Sequence, residues 1–149
     1  MWVSLVDMYR SATLYRFFQD GSVPGLRVLE VGGAPGAAAR EVARRVGPTG
    51  RVLVVDRSAK GVSLTLRGAA AEVALGTMPE GVLSARVADA ASVELLPGEA
   101  PYDLAFACRV GVLDGRHPAG HEAALSAIRR MLVPGGSVFV DTGDPLRRL

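Results

Sequence analysis

The feature that most constrains the fold is a continuous run of apolar residues of strand length. Residues 52–55 (VLVV) are mostly β-branched, and the run stops at an acid, Asp56. Strands buried on both faces have this composition, and they occur in parallel sheets whose faces are covered by helices. The run therefore predicts a buried strand of a parallel sheet.

Strand and helix patterns alternate along the rest of the chain. Apolar runs bounded by glycine, proline or polar residues predict further strands, and apolar residues at three- and four-residue spacing predict helices. The predicted strands are 27–31, 82–87, 102–108 and 137–140, and the predicted helices are 3–19, 37–46, 58–75 and 121–132. This order predicts βαβ units, and hence a doubly wound, mainly parallel α/β sheet with helices on both faces.

Length and composition fit one domain of this type. The chain has 149 residues, of which 49% are hydrophobic, so we expect a single domain with an N-terminal helix at 1–21, a core at 26–141 and a short tail at 142–149. The net charge is only +2 without a long basic run, which argues against nucleic acid as a partner. No stretch reaches the roughly 20 apolar residues that span a bilayer, so we expect no membrane partner and a cytoplasmic protein. The single cysteine, Cys108, excludes an internal disulfide and a cysteine-based zinc site, and we expect no metal.

Four polar features fall where predicted strands end. The glycine-rich turn 30–36 (EVGGAPG) follows the first strand, Asp56 the second, Asp89 the third, and Cys108-Arg109 the fourth. In an open parallel sheet, ligands bind at the carboxyl ends of the strands, where the strand order reverses. We therefore expect these features to form one ligand site.

The turn and the acid that follows the second strand suit a nucleotide-like ligand. Gly32 lets the chain turn sharply, the small residues after it keep side chains away from a ligand, and Pro35 has a fixed φ that suits the start of a helix. Asp56 comes 20 positions after Gly36, which suits hydrogen bonds to the two hydroxyls of a ribose. The alternative for Asp56 is a turn or helix-capping acid.

Five segments, taken in order, are similar to a known family. LEVGGAPG, VLVVDRS, VADA, YDLAFA and LVPGGSVFV resemble the consecutive motifs of class I (Rossmann-like) S-adenosylmethionine-dependent methyltransferases, from about residue 27 to residue 140. The resemblance implies S-adenosyl-L-methionine as the methyl donor and S-adenosyl-L-homocysteine as its product. A cationic sulfonium donor is consistent with the acids around the predicted site.

The resemblance also implies roles for individual residues. Glu30 would lie near the amino group of the donor's methionine, the backbone at 32–36 would pass under the methionine and ribose, and Asp56 would bind the ribose hydroxyls. Arg57, Asp89 and the Ala90 backbone would surround the adenine. The full predicted donor-binding set is Glu30, Gly32, Gly33, Ala34, Pro35, Gly36, Asp56, Arg57, Asp89, Ala90 and Cys108.

The segment around Ala34 departs from the usual family turn and bears on the acceptor. It has the GxAPG form of some RNA-modifying methyltransferases, which usually carry a catalytic lysine near the fifth strand and an acid closing the fourth. Here those strands end in Val140-Asp141 and Cys108-Arg109, and there is no Asn-Pro-Pro-Tyr-like motif. Methylation of a base amine therefore loses support, and a small-molecule acceptor is the first prediction.

The chain also departs from the family in length. The family's sheet normally ends with a sixth and a seventh strand, whereas only residues 141–149 follow the fifth strand here. The last two strands would then be lacking and the fifth strand would be an exposed edge, which proteins usually cover. This predicts a homodimer, or a partner chain, at that edge.

Candidates for a general base follow the fourth strand in the segment GVLDGRHPAGH. They are His117, His121 and Asp114, because histidine titrates near neutrality and suits deprotonation of an acceptor. The alternatives are an ordinary Asp-Gly turn and a histidine at a helix start. Arg109 is a further candidate for binding an anionic acceptor, and Asp141 and Asp144 lie at the predicted end of the fifth strand. Tyr9 and Tyr15 could line a lid, although both tyrosines suit core positions better.

Two other functions compete with an active methyltransferase. The first is a non-catalytic or regulatory S-adenosylmethionine-binding domain whose missing strands and acceptor site belong to a partner chain, which the short C-terminus favours. The second is a dinucleotide-dependent oxidoreductase. The pattern Gly32-x-Ala34-x-x-Ala37 matches GxGxxG poorly, which disfavours the oxidoreductase.

Overall fold

A six-stranded sheet forms the centre of the computed structural model, which describes residues 23–142 and 146–149. The strands lie in the order β3-β2-β1-β4-β5-β6, and all neighbours are parallel except β5 and β6. Their bounds are β1 Arg27–Val31, β2 Arg51–Asp56, β3 Leu83–Val87, β4 Tyr102–Ala107, β5 Leu132–Val140 and β6 Arg147–Arg148. The doubly wound, mainly parallel α/β fold predicted from the sequence is confirmed.

Helices cover both faces of the sheet, and the described ones are α1 Ala37–Val46, α2 Ala59–Ala74, α3 Gly111–Asp114 and α4 His121–Arg130. Neighbouring residues of β2 divide between the faces because successive side chains of a strand point in opposite directions. Val52 and Val54 pack in one core cluster with α1, while Leu53 and Val55 pack in a second cluster with α4. The apolar run of β2 is continuous because both of its faces are buried.

Element bounds differ from the sequence predictions at a few places. The predicted helix 3–19, with Tyr9 and Tyr15, and Asp144 lie outside the described residues. Residues 88–101 join β3 to β4 without a helix, in agreement with the sequence predictions, and Val93 from this segment is buried in the second core cluster. Among the described residues, α3 was not predicted, because four residues are too few to show a periodicity.

The predicted start of β5 was wrong by several residues. β5 begins at Leu132, so α4 ends at Arg130 and Pro134-Gly135-Gly136 lies inside the strand. Its pairing with β4 shifts between Tyr102 and Leu104, and such an irregularity accommodates proline and glycine within a strand.

The C-terminal residues correct the expectation of a bare edge on β5. β6 pairs antiparallel with β5 through Phe139↔Arg148 and Val140↔Arg147, and the Leu149 N–H donates to the Val138 carbonyl at 2.8 Å. A short returning segment is enough to satisfy these backbone groups, so the prediction that β5 forms the edge was wrong here. No helix within the described ranges is long and apolar enough to cross a membrane.

Candidate functional site

A cavity of about 380 Å³ opens at the carboxyl ends of β1 to β4. The strand order reverses between β1 and β4, which is where open α/β sheets bind ligands. The volume lies in the range of small-molecule sites. Predicted site residues that line the cavity are Gly32, Asp56, Arg57, Asp89, Ala90, Arg109 and His117, beside an apolar wall of Val31, Val55, Ala88, Val110 and Val112.

A buried acid packs tightly against the glycine-rich turn. Glu30 is fully buried, and a Cβ atom at Gly33 would lie 2.1 Å from its Oε1. At Gly32, whose φ is +70°, a Cβ atom would lie 2.7 Å from Val110 Cγ2. The turn therefore brings its backbone directly over a buried carboxylate and against the segment that follows β4.

Asp56 ties the turn to the start of α2. Its Oδ2 accepts from the Ala34 N–H at 3.2 Å, and its Oδ1 accepts from the Ser58 N–H at 2.9 Å. The cap of α2 is Ser58, whose Oγ accepts from the Gly61 N–H at 3.0 Å. Asp56 is thus a turn acid as well as a wall of the cavity, and each of its oxygens has a further lone pair for a ligand hydroxyl.

Asp89 lies at the end of β3, on the same side of the cavity. Its Oδ1 accepts from the Ala91 N–H at 2.9 Å, which holds the loop that presents Ala90 to the cavity. Arg57, next to Asp56, is exposed on this side. The side formed by β2 and β3 therefore combines two carboxylates with one guanidinium.

The segment after β4 forms the opposite side. Arg109 has a left-handed backbone with φ 61°. Its N–H donates to Asp141 Oδ1 at 3.0 Å, and its carbonyl accepts from Arg116 Nη2 at 2.7 Å. Arg116 also donates to Asp114 at 2.9 Å, and this hydrogen bond holds the pKa of the Asp114 carboxyl below its usual value. Asp141, named from the sequence for the cleft, lies outside the cavity lining and anchors Arg109.

Only one of the three candidate bases reaches the cavity. His117 lines it, with its ring over Gly111, where a Cβ atom would lie 2.2 Å from the histidine Cδ2. His121 Nδ1 lies 2.9 Å from the Val112 carbonyl, to which it donates from the start of α4. Asp114 is held in its ion pair with Arg116, and neither it nor His121 lines the cavity.

The predicted donor-binding set is not all on the cavity surface. Cys108 is 2% exposed and packs in the core cluster beside α1. Ala34 and Pro35 line a second, shallower depression near Lys60. Val110, Gly111 and Val112 line the cavity without having been predicted, and no sequence signal marks this short segment. Among the described residues, no group of three or more His, Cys, Asp or Glu side chains could hold a metal ion.

The fold and the cavity define a Rossmann-like domain with a ligand site at the point where the strand order reverses. Residues 28–136 match the family model described as a methyltransferase domain. The chain therefore belongs to the methyltransferase-domain family.

Two curated relatives carry different methyltransferase names. The chain is 30% identical over 139 residues to the ubiquinone/menaquinone biosynthesis C-methyltransferase UbiE of Bordetella avium, covering 87% of this chain and 48% of that protein. It is 33% identical over 162 aligned positions to the ribosomal RNA large subunit methyltransferase E of Acidithiobacillus ferrooxidans, covering 97% of this chain and 68% of that protein. The chain thus spans about half to two thirds of the length of these two relatives.

A solved structure shows the same fold at lower identity. The magnesium protoporphyrin IX methyltransferase of Synechocystis PCC 6803, with bound S-adenosylhomocysteine, superposes with a TM-score of 0.67 at 17% identity, covering 94% of this chain and 60% of that one. This likeness concerns the fold of the whole core.

Proposed function

We propose that the chain binds S-adenosyl-L-methionine and transfers its methyl group to a small-molecule acceptor. The observation that carries the proposal is the arrangement of acids around one cavity. Asp56 and Asp89 close neighbouring strands, and buried Glu30 lies directly beneath the glycine turn. A ribose, an adenine amine and a methionine ammonium each offer donors to such carboxylates.

The residues present fit this donor. Gly32 lines the cavity, and the missing side chain at Gly33 lets the turn pack directly on the Glu30 carboxylate. When bound, the donor supplies an electrophilic methyl group on a cationic sulfur. The protein's part is to hold donor and acceptor in line, because positioning supplies much of the acceleration of a displacement. His117 lines the side opposite Asp56 and Asp89, which supports a role for it as the group that takes a proton from an acceptor.

The residues that follow β4 bear on the chemical class of the acceptor. The ribosomal RNA relative supports RNA as a second candidate, since the chain covers 68% of that protein. However, Arg109 and Asp141 stand at the ends of β4 and β5, and the single lysine, Lys60, lies at the start of α2. An acid-and-lysine set of the RNA-modifying kind is therefore not assembled at this cavity, which favours a small acceptor.

Calorimetry with S-adenosylhomocysteine, followed by an acceptor screen, tests the proposal. We expect S-adenosylhomocysteine to bind and NAD⁺ not to bind. Methyl transfer from labelled S-adenosylmethionine to small acceptors, with ribosomal RNA fragments in parallel, then identifies the acceptor class. Binding without turnover on any acceptor would support the non-catalytic, partner-dependent alternative, and tight NAD⁺ binding would contradict the proposal.

A further inference from the structure

Arg109 places an uncommitted cation at the end of β4. Arg109 is an exposed residue of the cavity lining, and within residues 23–142 and 146–149 its guanidinium makes no hydrogen bond or ion pair. The neighbouring Arg116, by contrast, is paired with Asp114. A guanidinium presents five donors in a planar fork, so it is suited to a planar oxyanion.

The backbone of Arg109 is held in a conformation that a residue with a Cβ atom rarely adopts. A φ of 61° costs such a residue about 1–2 kcal/mol. The contacts of its N–H with Asp141 and of its carbonyl with Arg116 fix the two peptide units that flank its Cα atom. Strained residues held in this way cluster at ligand sites, where the strain fixes the direction of a side chain.

Charge is divided between the two sides of the cavity. Asp56 and Asp89 lie on the side of β2 and β3, whereas the lining residues that follow β4 include Arg109 and His117 and no acid. Two acids lie close behind this side without lining the cavity, since Asp141 accepts the backbone N–H of Arg109 and Asp114 pairs with Arg116. The cavity lining that follows β4 therefore offers a guanidinium and an imidazole and no carboxylate, whereas the side of β2 and β3 offers two carboxylates beside Arg57.

We propose that Arg109 binds a carboxylate of the methyl acceptor and so determines its specificity. This inference rests on the proposed function and adds the chemical class of the acceptor. A carboxylate bound to the guanidinium would satisfy its donors and hold the acceptor beside His117. The donor's own methionine carboxylate is the other source of the same chemistry, and the experiment separates the two.

The probe pair is benzoate and benzamide, titrated by NMR into protein saturated with S-adenosylhomocysteine. We expect benzoate to bind at least tenfold more tightly than benzamide. Arg109→Gln should abolish this preference, and Arg109→Lys should restore part of it, because lysine keeps the charge but not the planar fork. Arg129→Gln is the matched control, since Arg129 is exposed on α4 away from the cavity and should leave benzoate binding unchanged.

Arg109→Gly separates loss of the guanidinium from loss of folding, because glycine adopts the left-handed conformation without strain. It should unfold at the same or a higher temperature than the unaltered protein and still lose the preference for benzoate. Equal benzoate binding by Arg109→Gln or Arg109→Gly would overturn the inference. So would a tenfold loss of S-adenosylhomocysteine affinity with unchanged 5′-methylthioadenosine affinity, which would assign the guanidinium to the donor's carboxylate. Failure of the unaltered protein to bind S-adenosylhomocysteine would instead refute the proposed function.

Discussion

Two glycines offer a matched test of how tightly the turn is packed. Gly36 precedes α1 with φ 91° and ψ 16°, and Gly120 precedes α4 with φ 88° and ψ −4°. Each is the N-cap of a 10-residue helix and makes no side-chain cap hydrogen bond. Their surroundings differ, because a Cβ atom at Gly36 would lie 2.6 Å from Thr65 Cγ2 and one at Gly120 would meet nothing within 4 Å.

An alanine substitution carries the same conformational cost of the backbone at Gly36 and at Gly120. The left-handed conformation costs about 1–2 kcal/mol, offset by about 0.4–1 kcal/mol from the restricted unfolded chain, so Gly120→Ala should lose about 1 kcal/mol. Gly36→Ala adds overpacking against Thr65, which is fully buried and donates to the Gly61 carbonyl at 2.8 Å. Overpacking costs about 1–3 kcal/mol, so the total for Gly36→Ala is about 2–4 kcal/mol.

Urea unfolding followed by circular dichroism measures both variants. Gly36→Ala should lower the free energy of unfolding by about 1–3 kcal/mol more than Gly120→Ala does. This difference corresponds to a Tm lower by roughly 2–12 °C for a chain of this size. Thr65→Ser removes the clashing methyl, so the double variant Gly36→Ala/Thr65→Ser should be more stable than the two single losses predict. Equal losses at Gly36 and Gly120, or strict additivity with Thr65→Ser, would refute this account of the packing.

The other predictions concern the cavity and the neighbouring Asp114–Arg116 pair. Asp56→Asn should weaken S-adenosylhomocysteine binding in calorimetry by about 10- to 100-fold, because a hydrogen bond to a charged group contributes about 1.5–3 kcal/mol; unchanged affinity would contradict a ribose role. With an acceptor found in the screen, His117→Gln should lower kcat by about 10²-fold or more, whereas His121→Gln should not, because His121 lies outside the cavity lining and its imidazole donates to the Val112 carbonyl. The Arg116 hydrogen bond lowers the pKa of the Asp114 carboxyl, so this pair stabilises the fold above the ordinary carboxyl pKa and loses its contribution as the pH falls through the lowered value. NMR titration should find the pKa of Asp114 raised toward its ordinary value in Arg116→Ala, and an unchanged pKa would exclude the Arg116 side chain as the cause.

Most of the donor side of the site could be predicted from local sequence. Gly32, Asp56 and Asp89 each follow a recognisable strand, and the carboxyl ends of parallel strands meet at one edge of the sheet. The three candidate bases could not be separated in this way, because they lie within eight residues of one another in an irregular segment. Which of them faces the cavity depends on α3 and on the start of α4, and only His117 does so.

The sequence by itself determined the fold class and the family. Hydrophobic periodicity and the positions of glycines are local signals. A few residues therefore predicted the sheet, from the run 52–55, and its ligand-binding edge, from the turn 30–36. The tertiary structure decided what depends on distant contacts: the antiparallel return of Arg147–Arg148 onto β5, the burial of Cys108, and the backbone of Arg109. Arg109 is fixed by Asp141, 32 positions further along the chain, and no local pattern can encode a hydrogen bond between residues that only folding brings together.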